Sequence, residues 1–234
     1  MAGTAKKAKP LVVGVDGVRG GWVAVALRGR RVVDARLFER LADVLEAWPK
    51  AAAIGVDTPI GLPTGKPDAA GTTDFPRAAD LAARELLVGA AARVFTVYPE
   101  AVYRAETHAD ATALATRLVG RGISQQAWRL RTAVLDALTV EDDPRVFEVH
   151  PELSFLQMRG EVLRPKTTWQ GIAERIDALR LDGIEVPLDH DAAHAPAADV
   201  LDAAAAAWTA RRRQRGKALR VPRGATGTTP TIWV

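Results

Sequence analysis

Two short apolar runs, each closed by an aspartate, constrain this chain more than any other feature. Residues 11–16 (LVVGVD) are valine-rich and free of charge until Asp16, and residues 52–57 (AAIGVD) run the same way to Asp57. Such runs suit strands buried on both faces, in a sheet covered by helices on either side. Between them lie a glycine-rich turn at Gly17–Gly21, a second apolar run at Trp22–Leu27, and an alternating segment at Val32–Phe38. The alternation marks a half-exposed strand at the sheet edge. Residues 39–48 place Leu41, Val44, Leu45 and Trp48 at helical spacing. Three neighbouring strands before the first crossover helix predict an antiparallel meander. The strand after that helix is expected to pair parallel with the first.

The rest of the chain reads as mostly helical. Residues 60–75, rich in Gly, Pro, Thr and Asp, predict an exposed loop. Helical spacing follows at 77–90, 100–118 and 124–138, then a short strand at Arg145–His150 ended by Pro151, then helices at 168–181 and 198–213. The alanine stretch 203–207 reads as close helix packing, and residues 216–234 as a segment wrapping the surface. With 234 residues, the chain fits a single α/β domain over 11–234 with a helical insertion at about 60–144. Residues 1–10 are basic and lack the apolar stretch of a signal peptide, which predicts a disordered tail. No run is long and uncharged enough to cross a bilayer, so no membrane partner is expected. The absence of cysteine excludes disulfides and thiolate metal sites and suits a cytoplasmic protein. A net charge of +4 favours nucleic acid only mildly as a partner, and nothing in the sequence sets the oligomeric state.

Acidic residues collect where strands end and where the last helix begins. Asp16 closes the first strand, Asp57 closes its expected neighbour, Glu148 lies in the later strand, and Asp199 and Asp202 are three apart on one helix face. The carboxyl ends of parallel strands are where open α/β sheets place their sites. Carboxylates drawn together raise one another's pKa unless protons or cations neutralise them. An all-oxygen donor set favours Mg²⁺ or Mn²⁺, and two such ions can support in-line attack on a phosphodiester. Each residue also has a plainer role open to it. Asp16 and Asp57 suit turns, Asp199 suits a helix N-cap, Asp202 suits a positive first turn, and Glu148 suits the surface of an edge strand.

The segments GVDGVRGGW (14–22), GVDTPIGLP (55–63), FEVHPELSF (147–155) and ADVLDAAAAAWTA (198–210) occur in an order that resembles the domain of unknown function 429 family. RAADLAARELLVG (77–89), VFTVYP (94–99) and SQQAW (124–128) extend the resemblance over nearly the whole chain. That family is described as predicted nucleases with a ribonuclease-H-like fold. The resemblance implies a mixed five-stranded sheet of order 3-2-1-4-5 with helices on both faces. It also implies a metal site built from Asp16, Asp57, Asp199 and Asp202, with Glu148 among the catalytic acids. Holliday-junction resolvases of that fold carry acidic residues at comparable strand ends and on the last helix.

Further polar residues are candidates for substrate contacts. His150 and Glu152 belong to the EVHPE segment, and His150 reads either as a general base or phosphate contact or as a ring bonded across a strand end. Lys166 reads as a phosphate ligand or a solvated loop lysine, and Arg19 lies in the glycine-rich turn. Arg77, Asp80 and Arg84 share a helical face, as a substrate-facing stripe or a surface row of ion pairs. The basic run Arg211–Arg215 suits a phosphate backbone or the negative end of its own helix. Trp128 and Trp208 are expected in the core. Together these features predict a metal-dependent nuclease or phosphoesterase. The alternatives are a non-catalytic interaction module on the same fold and a phosphotransferase of the actin or sugar-kinase type. The latter needs two such domains and a second glycine-rich phosphate loop.

Overall fold

A computed structural model describes residues 8–187, 189–226 and 229–234. Most of the expected N-terminal tail, residues 1–7, lies outside the described residues. The chain opens with β1 (Leu11–Val18), β2 (Gly21–Arg28), β3 (Arg31–Phe38), α1 (Leu41–Ala47) and β4 (Ile54–Asp57). After a long loop come α2 (Ala78–Leu86), α3 (Glu100–Tyr103), α4 (His108–Val119), α5 (Gln125–Arg129) and α6 (Arg131–Leu138). Then follow β5 (Val146–Glu148), α7 (Pro151–Arg159), α8 (Trp169–Leu181), α9 (Ala197–Gln214), β6 (Arg220–Val221) and β7 (Ile232–Trp233). The main sheet is mixed and five-stranded, in the order β3-β2-β1-β4-β5. β1 to β3 pair antiparallel as a meander, and β4 joins β1 and β5 in parallel. No helix among the described residues is long and apolar enough to cross a membrane.

Strand alternation divides the interior into two cores. Val13, Val15, Ala24 and Val56 point to one face, against Leu41 and Val44 of α1 and Ala137 of α6. Val12, Val23, Val25 and Phe147 point to the other, against α9 and Leu179 of α8. α9 lies unusually close to the sheet. A Cβ built on Gly14 would meet the Ala207 nitrogen at 1.9 Å, and one on Gly55 would meet the Ala206 carbonyl at 3.0 Å. Ala203 to Ala207 have no exposed surface. Small residues on both sides therefore let the α9 backbone rest directly on β1 and β4, as the alanine stretch predicts. Gly14 and Asp16 share a strand face, as do Gly55 and Asp57. The contact that seats α9 thus also aims both aspartates at its first turns.

Several sequence expectations need correction. β1 runs two residues past Asp16, leaving only Arg19 and Gly20 as the turn. The single helices expected at 100–118 and 124–138 are each two, split near Ala105–Thr107 and at Leu130. Thr107 caps a following backbone N–H and starts a new helix where periodicity alone reads through, whereas Ser124 caps the expected start and the break at Leu130 carries no side-chain cap. Pro151 both ends β5 and opens α7, because proline fits the first helical position. The C-terminal segment does more than wrap the surface. β7 bridges to Val149, and Ile232 and Val234 are buried with Ala79 and Ala83 of α2. Trp208 is a core residue, whereas Trp128 is only half-buried, with the Arg131 guanidinium 3.9 Å from its ring centre.

Candidate metal centre

In the parallel register of β1 and β4, Asp16 stands directly beside Asp57. α9 brings Asp202 to the same point, and one oxygen from each of the three carboxylates lies within 4.8 Å of the others. Asp16 and Asp202 are buried, at 6% and 3% exposure. Asp16 Oδ1 accepts the Gly17 N–H at 2.7 Å, so the local turn contact and the cluster coexist. Asp202 Oδ2 accepts from the Lys166 ammonium, while Asp202 Oδ1 is buried without a partner. An orphaned carboxylate oxygen beside two further carboxylates is costly unless a cation joins them.

The electrostatics agree. Burial pushes the Asp16 carboxyl well above its ordinary value, and the charges of Asp57 and Asp202 push it further. Asp57 is raised by burial and by Asp202. Asp202 is pushed up to about 6 by burial, against the opposing pull of Lys166. Burial opposes the charge of the Lys166 ammonium, but Asp202, with Asp16 and Asp57, outweighs it, and the Lys166 pKa rises. Three aspartates with one lysine among them leave an excess of negative charge in a desolvated site. An all-oxygen set of this kind fits a hard divalent cation.

Not every predicted acid joins the cluster. Asp199 is half-buried and lines the same cavity, but it is not one of the three oxygens that meet. It is not the N-cap of α9 either, because Pro196 holds that position. Glu148 is buried, not displayed on an edge strand, because Arg77 covers it. Its Oε1 accepts from Arg77 Nη2 at 2.8 Å, and its Oε2 from Arg77 Nη1 at 2.9 Å and Ile60 N at 2.8 Å. Burial raises the Glu148 carboxyl, with Arg77 opposing.

The candidate substrate residues fall into different settings. Arg77 and Asp80 form no surface row: both are buried, and Arg77 Nη2 donates to Asp80 Oδ1 at 2.6 Å. Arg84 reaches the Val94 carbonyl at 3.0 Å and Thr96 Oγ1 at 2.8 Å. Glu152 accepts from Arg93 at 2.8 Å and Arg175 at 2.6 Å. His150 is half-buried, its Nδ1 has no hydrogen-bond partner, and burial lowers its pKa. Arg19 is exposed at the tip of the β1–β2 hairpin. The basic run at the end of α9 is folded in: Arg211 pairs with Asp182, and Arg213 stacks on Phe147 and Trp233. It lies roughly 16 Å along the helix from Asp202.

A family model described as protein of unknown function (DUF429) matches residues 14–226. The chain belongs to this family. Neither the curated proteins nor the solved structures searched offer a match. The span matched by the DUF429 model contains all three clustered aspartates and Lys166. Sequence reasoning missed the apolar part of the site. Phe95, Val97, Tyr103, Leu130 and Ile232 line the same cavity as the aspartates, and no spacing or motif in the sequence assigns them that role.

Proposed function

We propose that this chain is a divalent-metal-dependent phosphoesterase or nuclease on a ribonuclease-H-like fold, with residues 11–234 as one domain. The observation that carries the reading is the meeting of Asp16, Asp57 and Asp202 within 4.8 Å, with one buried Asp202 oxygen left without a partner. The sheet order β3-β2-β1-β4-β5 supports the fold assignment, because it sets Asp16 of β1 beside Asp57 at the end of β4, under the last helix. Asp16, Asp57 and Asp202 would hold Mg²⁺ or Mn²⁺, with Asp199 at the margin. When bound, the metal would supply Lewis-acid stabilisation of charge on a phosphoryl group. The protein's own part is to fix three oxygens on rigid elements and to shield them from bulk water. Lys166 partly balances their charge in the metal-free protein. Arg77 holds Glu148 out of the metal shell, so Glu148 supports the site as a positioning residue.

Calorimetric titration of Mg²⁺ and Mn²⁺ into the wild type and Asp16→Asn tests this. Binding to the wild type that disappears in the variant is the expected result, followed by metal-dependent cleavage of a phosphodiester. Binding unaffected by Asp16→Asn would place the metal elsewhere and overturn the reading. No binding at all would favour a non-catalytic interaction module.

A further inference from the structure

The three aspartates form the floor of a cavity of about 470 Å³. Clefts of this size hold small molecules or single residues of a polymer. Another part of the wall comes from the long helical segment between β4 and β5, through Val94–Val97, Tyr103, Leu130 and Ala133. This wall is tied down at several points. Asp80 Oδ2 accepts the Val97 N–H at 3.1 Å, and Arg84 holds the Val94 carbonyl and Thr96. Next to it, Arg93 donates to Glu152 and to the Leu163 carbonyl at 3.0 Å. The Arg77, Asp80 and Arg84 stripe is therefore the anchor of a fixed wall.

Charge points the same way. The cations lining the cavity among the described residues are Arg77, Arg93 and Lys166, and each is already paired with a carboxylate. Surfaces that grip a nucleic-acid backbone are strongly basic and contact many phosphates. With every lysine and arginine of the lining already paired, a cation at the aspartates is the charge that can hold a single phosphate here. Phe95 lines the same cavity and is 39% exposed, although apolar. An exposed aromatic at this position offers a stacking surface to one planar group.

We propose that the cavity takes one nucleotide-sized phosphate ester, free or at the end of a strand, with its planar group against Phe95. A duplex without ends is excluded. This inference rests on the metal-dependent reading above. The test uses the full chain with Mn²⁺ bound, or Ca²⁺ where turnover must be slowed. Three probes are titrated: a nucleoside 5′-monophosphate, a single-stranded 12-mer, and a closed dumbbell duplex. The monophosphate is expected to bind only with metal present, and the 12-mer through its end. The dumbbell is expected not to bind, and Phe95→Ala to weaken the monophosphate by about tenfold. Binding of the 12-mer without the monophosphate would leave strand ends as the source of the ester. Binding of the monophosphate alone would leave free esters. Metal binding without either, dumbbell binding as tight as that of the 12-mer, or indifference to Phe95→Ala would overturn the inference while leaving the metal site intact. Failure of Mn²⁺ to bind the wild type would remove both.

Discussion

Two buried acidic groups lie in the wall of one cavity, and the protein treats them oppositely. Around Arg77, the carboxylates of Asp80 and Glu148 have every oxygen matched to a donor: Arg77 serves both, Val97 N completes Asp80, and Ile60 N completes Glu148. Around Lys166, Asp16, Asp57 and Asp202 repel one another, and one fully buried oxygen, Asp202 Oδ1, has no donor. The first group is a finished structural joint. The second keeps its charge unbalanced, which is what a divalent cation would relieve. Burial and charge count alone do not distinguish them; the assignment of each oxygen does.

The largest effect should come from breaking the finished joint. Arg77→Met leaves Asp80 and Glu148 buried without their cation and is expected to lower stability by about 3–5 kcal/mol in chemical denaturation. A loss below about 1 kcal/mol would mean that the joint is not finished. Next comes filling the unbalanced group. Mn²⁺ at a hundredfold excess over its Kd should stabilise the wild type by about 2.7 kcal/mol, and Asp57→Asn should abolish the gain. Equal stabilisation of both proteins would remove the contrast.

A smaller effect should appear in pH dependence without metal. The folded Asp202 carboxyl titrates at about 6 against an ordinary 3.8, and Asp16 and Asp57 are raised in the same direction. Between these values the folded protein holds protons that the unfolded chain has released. Stability should therefore fall as pH rises through this window. The gap between denaturant midpoints at about pH 4.5 and 7 should narrow in Asp202→Asn, while Asp16 and Asp57, raised first by burial, keep part of the slope. Glu148, also raised, keeps a residual slope of the same sign. His150, whose pKa burial lowers, contributes a slope of the opposite sign, so the change on substitution decides: a gap left unaltered by Asp202→Asn would contradict the picture. The smallest effect concerns Lys166, which is 39% exposed along its side chain. Lys166→Met should tighten Mn²⁺ binding by up to about fivefold, because the resident cation competes with the metal. Weaker binding would mean that Lys166 assists the metal instead.

The sheet was legible in the sequence because its information is local. Valine runs mark buried strands, the alternation at 32–38 marks the edge, and the ends of those runs mark Asp16 and Asp57, although β1 continues to Val18. Asp202 followed from helical spacing on α9. What stayed hidden depends on contacts between distant segments. Arg77 and Glu148 are 71 residues apart, and no spacing rule joins them. For the same reason Glu148 read as a candidate catalytic acid. Spacing relates Arg77, Asp80 and Arg84, but whether they meet solvent or the interior depends on where the Val94–Val97 segment folds. Asp199 and Asp202 share a helix face, yet only the deeper one, beside the alanines that touch β1 and β4, reaches the cluster.

The most direct measurement is anomalous diffraction from a crystal grown with Mn²⁺. The account predicts a peak bonded to Asp16, Asp57 and Asp202 at about 2.0–2.3 Å, with the Lys166 ammonium moved off Asp202. A saturated crystal with no peak there, and Lys166 still paired with Asp202, would contradict it.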